Sequence, residues 1–298
     1  MLAQQTITPE NKLRRRLSTI NNLPSPPLVF TQISKVINDP RTSVKDVAAI
    51  MSEDAAMSAK VLRLSNSAFY GPKSEINSIK QAILVLGLEA VKSLVLSSSV
   101  FDMFRSQKLD VEFQEAFWRH SLATALAGRM LIRHHRAFAG QDPEIAFSAG
   151  LLHDIGKLII CCFMPDEHKQ LRTYLVNNKV ADYQAEETVV GYTHTLIGRM
   201  LAQNWKLPEA IQQAIEFHHF PPVPTDDEPV YASVVHVADY IARLTFEKRL
   251  QNIDGWMHVQ PAVEQFLALT PEMTDAFRGR LLEEYACSST FMHMAMSA

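Results

Sequence analysis

Histidine and aspartate are the side chains here whose placement could do chemistry. The sharpest segment is Leu151-Leu152-His153-Asp154-Ile155-Gly156-Lys157, which sets an imidazole beside a carboxylate. Together these groups are suitable ligands for iron, manganese or zinc. On one continuous helix they would point about 100° apart, so both reach a common ion only if the helix passes beside it. A hydrogen-bonded core pair is a commoner source of the same dipeptide, so the pair alone proves nothing. Its company changes the odds. His120 stands in Phe117-Trp118-Arg119-His120-Ser121, and His194 ends Gly191-Tyr192-Thr193-His194. The pair His218-His219 precedes a proline-rich stretch, and Asp239 lies between Ala238 and Tyr240. Most of these positions sit among apolar residues, where an unpaired polar group is costly. Of the other histidines, His134-His135 read as an exposed basic helix end. His168, His236, His258 and His293 have no partner that the sequence names.

The elements that must carry these residues read as helices throughout. Leu23-Pro24-Ser25-Pro26-Pro27 cannot lie inside a helix, and it separates a basic leading helix (Lys12 to Arg16) from the first packed one. Apolar residues recur at helical spacing over 28–37, and Asn38-Asp39-Pro40 stops that run. Ser43 with Asp46 three residues on is an N-cap signal. Helices are expected over 56–65, over 79–100 with an interruption at Gly87, and over 109–135. Single helices are also expected over 144–163 and over 182–204. A short helix runs from Leu207-Pro208 to His219, a loop spans 220–229, and a helix follows over 229–246. Two closing helices then cover the core, and a methionine- and serine-rich end frays. Trp118 and Trp205 read as core anchors, and Asn66 and Tyr70 as residues that hold a loop by hydrogen bonds. No strand alternation or internal repeat is present, so the fold class is all-α.

Bulk properties exclude several function classes. The 298 residues are 47% hydrophobic and 20% charged, too apolar for a disordered chain. A net charge of −3 leaves no footprint for general nucleic-acid binding. Cys161, Cys162 and Cys287 suit neither a disulfide framework nor a cysteine-rich zinc site. The first residues lack the apolar core of a signal peptide, and runs such as Leu158 to Met164 are too short to cross a bilayer. A cytoplasmic protein with no membrane contact is expected.

The order His120, then His153-Asp154, then Asp239 on successive helices resembles the HD superfamily of metal-dependent phosphohydrolases. Adding His194 and His218-His219 resembles the ligand set of the HD-GYP branch, which degrades cyclic dinucleotides. A narrower resemblance, to the HDOD family, is carried by Leu23-Pro24, Leu64-Ser65-Asn66-Ser67-Ala68-Phe69-Tyr70-Gly71 and Gln81-Ala82-Ile83 before Leu86-Gly87. It continues through Gly150 to Lys157 and Trp205-Lys206-Leu207-Pro208, covering roughly residues 20–245 in order.

The resemblance implies a dinuclear divalent-metal site, with iron or manganese ahead of zinc, nickel or magnesium. His120, His153, Asp154 and Asp239 would hold one ion; His194, His218 and His219 would hold the second, with Asp154 bridging. If the protein is a hydrolase, Asp154 and Lys157 are the expected catalytic residues, and Lys157 would neutralise a phosphate oxygen. A solvated lysine near a helix end is an equal reading of Lys157, and Arg199 is a weaker candidate. The Gly-Tyr-Pro segment of the HD-GYP branch is absent after His153-Asp154. Three readings follow. The first is a regulatory protein of bacterial signal transduction, answering to a signalling protein or nucleotide. The second is a metal-dependent phosphohydrolase acting on a nucleotide or cyclic dinucleotide. The third is a helical scaffold whose histidines only bond within the core. An N-terminal helical bundle over 1–105 packed on an HD-like helical domain over 106–298 is the expected division.

Overall fold

The computed structural model describes residues 8–20, 23–25, 28–37, 43–105, 107, 109–222, 230–247 and 258–296. The expectations for Pro26-Pro27, for Asn38-Asp39-Pro40 and for most of the 220–229 loop lie outside these residues. Every regular element among them is helical, as the apolar spacing requires.

The first half carries α1 (Pro9–Leu17), α2 (Leu28–Ile37), α3 (Val44–Ser52), α4 (Ala55–Ser65), α5 (Ile79–Leu86) and α6 (Leu88–Arg105). The Ser43–Asp46 signal forms a full capping box at α3, with Ser43 N–H donating to Asp46 at 2.8 Å. Gly87, at φ 93°, divides α5 from α6 where the sequence placed an interruption. The amide side chain of Asn66 bonds both the Ile76 carbonyl and the Ile76 N–H, each at 2.8 Å, closing the loop after α4. Tyr70 does not share that task. Its hydroxyl has no hydrogen bond, and its ring instead lies under the Arg129 guanidinium.

The second half carries α7 (Val111–His134), a 3-10 turn (Arg136–Phe138), α8 (Pro143–Leu152), α9 (Ile155–Phe163) and α10 (Pro165–Asn178). There follow α11 (Asp182–Val189), α12 (His194–Asn204), α13 (Glu209–Phe217), α14 (Tyr231–Phe246), α15 (Pro261–Leu267), α16 (Pro271–Ala286) and α17 (Ser289–Met296). Helices α7, α8 and α14 pack on one another, α13 packs on α8 and α14, and α12 lies against α9 and α13. One apolar core runs from Leu13 in α1 to Ala295 in α17.

Four local expectations are corrected. The 144–163 segment is two helices broken at His153-Asp154, and 182–204 is two helices broken at 190–193. The end of the chain does not fray over 289–296: α17 buries Phe291 against Phe69 and Phe147. His135 is buried, not an exposed basic end; it bonds the Leu267 carbonyl and caps the 3-10 turn. Pro143–Phe163 together have the length and hydropathy of a membrane span, but 78% of that window is buried inside the protein. It is core, which an apolar sequence on nearly every face also satisfies.

Candidate metal centre

Close backbone approach builds the site before any polar contact does. A Cβ on Gly150 would lie 2.8 Å from the backbone of Ala125, so only glycine lets α8 come this near α7. That approach sets His120 Nε2 3.2 Å from His153 Nε2. A Cβ on Gly156 would lie 2.0 Å from the carbonyl oxygen of His194, so α9 touches the first residue of α12. The two-residue break between α8 and α9 turns His153 and Asp154 to one side, with His153 Nε2 3.4 Å from Asp154 Oδ2. An unbroken helix would have splayed them.

Around Asp154 the structure gathers His194, His218 and His219 in one group, and His120 with His153 in another. The ring nitrogens are oriented by outer bonds. His153 Nδ1 donates to the Gly150 carbonyl at 2.7 Å, His218 Nδ1 to the Ile215 carbonyl at 2.9 Å, and His194 Nδ1 to Glu186 Oε2 at 2.7 Å. Each therefore turns Nε2 inward, the orientation metal-ligating histidines share. His194 Nε2 lies 3.2 Å from Asp154 Oδ1 and 3.1 Å from His219 Nε2, and His218 Nε2 lies 3.6 Å from the same oxygen. Asp154 Oδ1 and His218 Nε2 are buried and make no hydrogen bond. Two orphaned acceptors facing two more imidazole nitrogens fit a cation with mixed oxygen and nitrogen ligands.

Electrostatics point the same way. Burial opposes the charge of Asp154, yet Lys157, His153 and His194 hold its carboxyl well below the usual range. Burial likewise opposes a charged His194, but Glu186 and Asp154 outweigh it and raise the imidazole to about 9. His120 also reaches about 9, because Asp239 and Glu247 overcome burial and the repulsion of Arg243. His218, with burial dominant, is held down to about 4. The pocket thus draws protons onto two imidazoles where a cation would otherwise sit.

The seventh expected position, Asp239, borders the cluster: Oδ1 is 3.0 Å from His120 Nε2 and 3.9 Å from His153 Nε2. It is also the acceptor of Arg243 Nε at 2.7 Å. Lys157 is no solvated lysine, since its ammonium lies 2.9 Å from Asp154 Oδ2 and 2.8 Å from Asp182 Oδ2. Arg199 pairs with Glu216.

Sequence reasoning missed Arg243, Asp182, Glu186 and Glu247, and the partners of His236. That ring donates from Nδ1 to the His218 carbonyl at 2.7 Å and accepts the Gln260 N–H at 2.9 Å. Of these, only Arg243 carried a readable signal, four residues beyond Asp239 on the same helix face.

An all-α chain with buried imidazoles and carboxylates gathered where α7, α9, α12 and α14 meet defines the class. A family model for the HDOD domain matches residues 23–221, and the chain belongs to that family. It is similar to a solved HDOD domain protein of unknown function from Geobacter sulfurreducens, with 25% identity and a TM-score of 0.76, covering 94% of this chain and 97% of that one. The fold also matches a candidate phosphohydrolase (24% identity, TM-score 0.72, 96% of this chain and 98% of that one) from Shewanella amazonensis SB2B. A candidate metal-dependent phosphohydrolase from the same organism matches at 22% identity and TM-score 0.60, covering 94% of this chain and 99% of that one. Among curated proteins, an uncharacterized protein of Treponema pallidum (strain Nichols) is 25% identical over 222 residues, which is 72% of this chain and 41% of the relative. Ribonuclease Y of Mycoplasma genitalium is 26% identical over 155 residues, 52% of this chain and 25% of that protein. The chain thus spans less than half the length of these curated relatives.

Proposed function

We propose that this HDOD chain is a regulatory protein of bacterial signal transduction whose His/Asp pocket holds a divalent metal ion. The metal reading is carried by one observation: Asp154 Oδ1 and His218 Nε2 are buried without hydrogen bonds, facing the inward Nε2 atoms of His194 and His219. A buried carboxylate oxygen without a hydrogen bond is costly inside a protein, and a cation shared with imidazoles removes the cost. Iron or manganese suits that mixed donor set. A regulatory role is supported by what surrounds the pocket. Lys157 and Arg243, the cations that a phosphoryl substrate would need, are engaged with Asp154, Asp182 and Asp239.

A phosphohydrolase is the second reading, and one observation favours it. A cavity of about 240 Å³ borders the cluster, with His219, Asp239 and Arg243 in its wall beside Tyr183, Phe220 and Tyr240. Aromatic rings beside a cationic group suit a nucleotide. In that reading Asp154 and the histidines would hold an ion that would supply Lewis-acid polarisation of a phosphoryl oxygen, while Lys157 fixes the charge and position of Asp154.

Phosphate release from a panel of nucleotides and cyclic dinucleotides, with added Mn²⁺, separates the two. Little or no turnover is expected, and none of cyclic dinucleotides. Robust release that vanishes in Asp154→Ala would replace the regulatory reading with the hydrolytic one.

A further inference from the structure

The resemblance implies two ions that share Asp154, but the two halves of the pocket differ. On the His194 side an oxygen and three ring nitrogens converge, and the oxygen, Asp154 Oδ1, is buried without a hydrogen bond. On the His120 side a guanidinium is already in place. Arg243 reaches in from α14 with Nε 2.7 Å from Asp239 Oδ1, Nη2 3.5 Å from His120 Nε2 and 3.8 Å from Asp154 Oδ2, and Nη1 3.4 Å from Glu247 Oε2. It is 5% exposed, and its fork spans the groups that would ligate an ion there.

Asp154 shows the same asymmetry within one side chain. Its Oδ2 receives Lys157 at 2.9 Å and Arg243 at 3.8 Å, whereas Oδ1 is the orphan. A carboxylate that bridges two ions with one oxygen on each needs both oxygens for metal, and here Oδ2 already faces two fixed cations. Asp239 is in the same position, since Oδ1 accepts the Arg243 Nε–H. A second divalent ion would have to sit against a guanidinium inside a dry pocket, where like charges repel strongly.

We propose that Arg243 stands in for the second metal: the pocket takes a single divalent ion, on Asp154, His194, His218 and His219, and the guanidinium neutralises the Asp239 side in its place. This rests on reading the pocket as a divalent-metal site. Its consequence is functional. A single ion leaves one Lewis-acidic centre, and two-metal activation of both entering and leaving oxygens is lost.

The test uses the full chain and Mn²⁺ alone. Metal content is measured after equilibrium loading, Mn²⁺ affinity by titration, and the coupling of bound ions by electron paramagnetic resonance. Wild type should hold one equivalent with the spectrum of an isolated ion. His120→Ala should keep that equivalent with affinity changed less than about threefold. His194→Ala should weaken it beyond the roughly 100-fold that loss of an outer partner costs. Arg243→Met, with no charge to offset Asp239 and Glu247, should admit a second equivalent. If that variant fails to fold, the His120→Ala and His194→Ala pair still decides. Two coupled ions in wild type, or loss of the ion in His120→Ala as much as in His194→Ala, overturns the single-ion assignment and leaves the metal site standing. A wild-type chain that takes up no Mn²⁺ overturns both.

Discussion

Glu186 shows how much of the site depends on residues that touch no candidate ion. It accepts the His194 backbone N–H and its ring Nδ1–H, each at 2.7 Å, so one carboxylate fixes both the start of α12 and the tautomer of its first residue. Glu186→Ala should leave the fold intact and weaken Mn²⁺ binding by about 10–100-fold, read by titration calorimetry. Unchanged affinity would mean that His194 is not a ligand. The seven histidine and aspartate positions were legible in the sequence because ligand-type residues stand out among apolar neighbours. Glu186 was not, because it lies eight residues before His194 on a separate helix and looks like any solvated acid. Arg243 was obscured differently: an arginine four residues after an aspartate reads as an ordinary intrahelical pair until its burial is known.

Helix contacts translate those residues into geometry, and glycine sets their spacing. Gly156→Ala would drive a methyl group into the His194 carbonyl, a backbone atom that cannot rotate away. Overpacking of this kind costs about 1–3 kcal/mol, and metal affinity should fall with the melting temperature because His194 itself must move. Gly279→Ala is the control: nothing lies within 4 Å of its added Cβ, so that variant should gain about 0.5–1 kcal/mol from helix propensity. If both variants melt like wild type, the α9–α12 approach is looser than described. The all-helical class and most of the described helices were readable from apolar spacing. The break at His153-Asp154 was not, since 144–163 is apolar throughout and tertiary contacts decide where it bends. Helix α10 escaped notice because it has a single buried residue, Leu171, and so a weak apolar stripe.

Across the whole molecule, one core ties the ends of the chain to the site. Trp205 donates its indole N–H to the Pro24 carbonyl at 3.0 Å, fastening Pro24 beside the end of α12. Phe291 in α17 fills a slot between Phe69 and Phe147, joining the N-terminal helices to α8. Phe291→Ala should cost about 3–5 kcal/mol in urea unfolding, far more than a frayed terminus would. A change below about 0.5 kcal/mol, the scale of an exposed position, would show that α17 does not belong to the core. The core, the break and the glycine contacts together serve one claim, that the histidine–aspartate cluster is a cation site. Anomalous diffraction from crystals grown with stoichiometric Mn²⁺ tests it most directly. The expected result is a peak enclosed by Asp154 Oδ1 and the Nε2 atoms of His194, His218 and His219. Crystals whose only manganese lies on surface carboxylates, with the pocket unchanged, would contradict it.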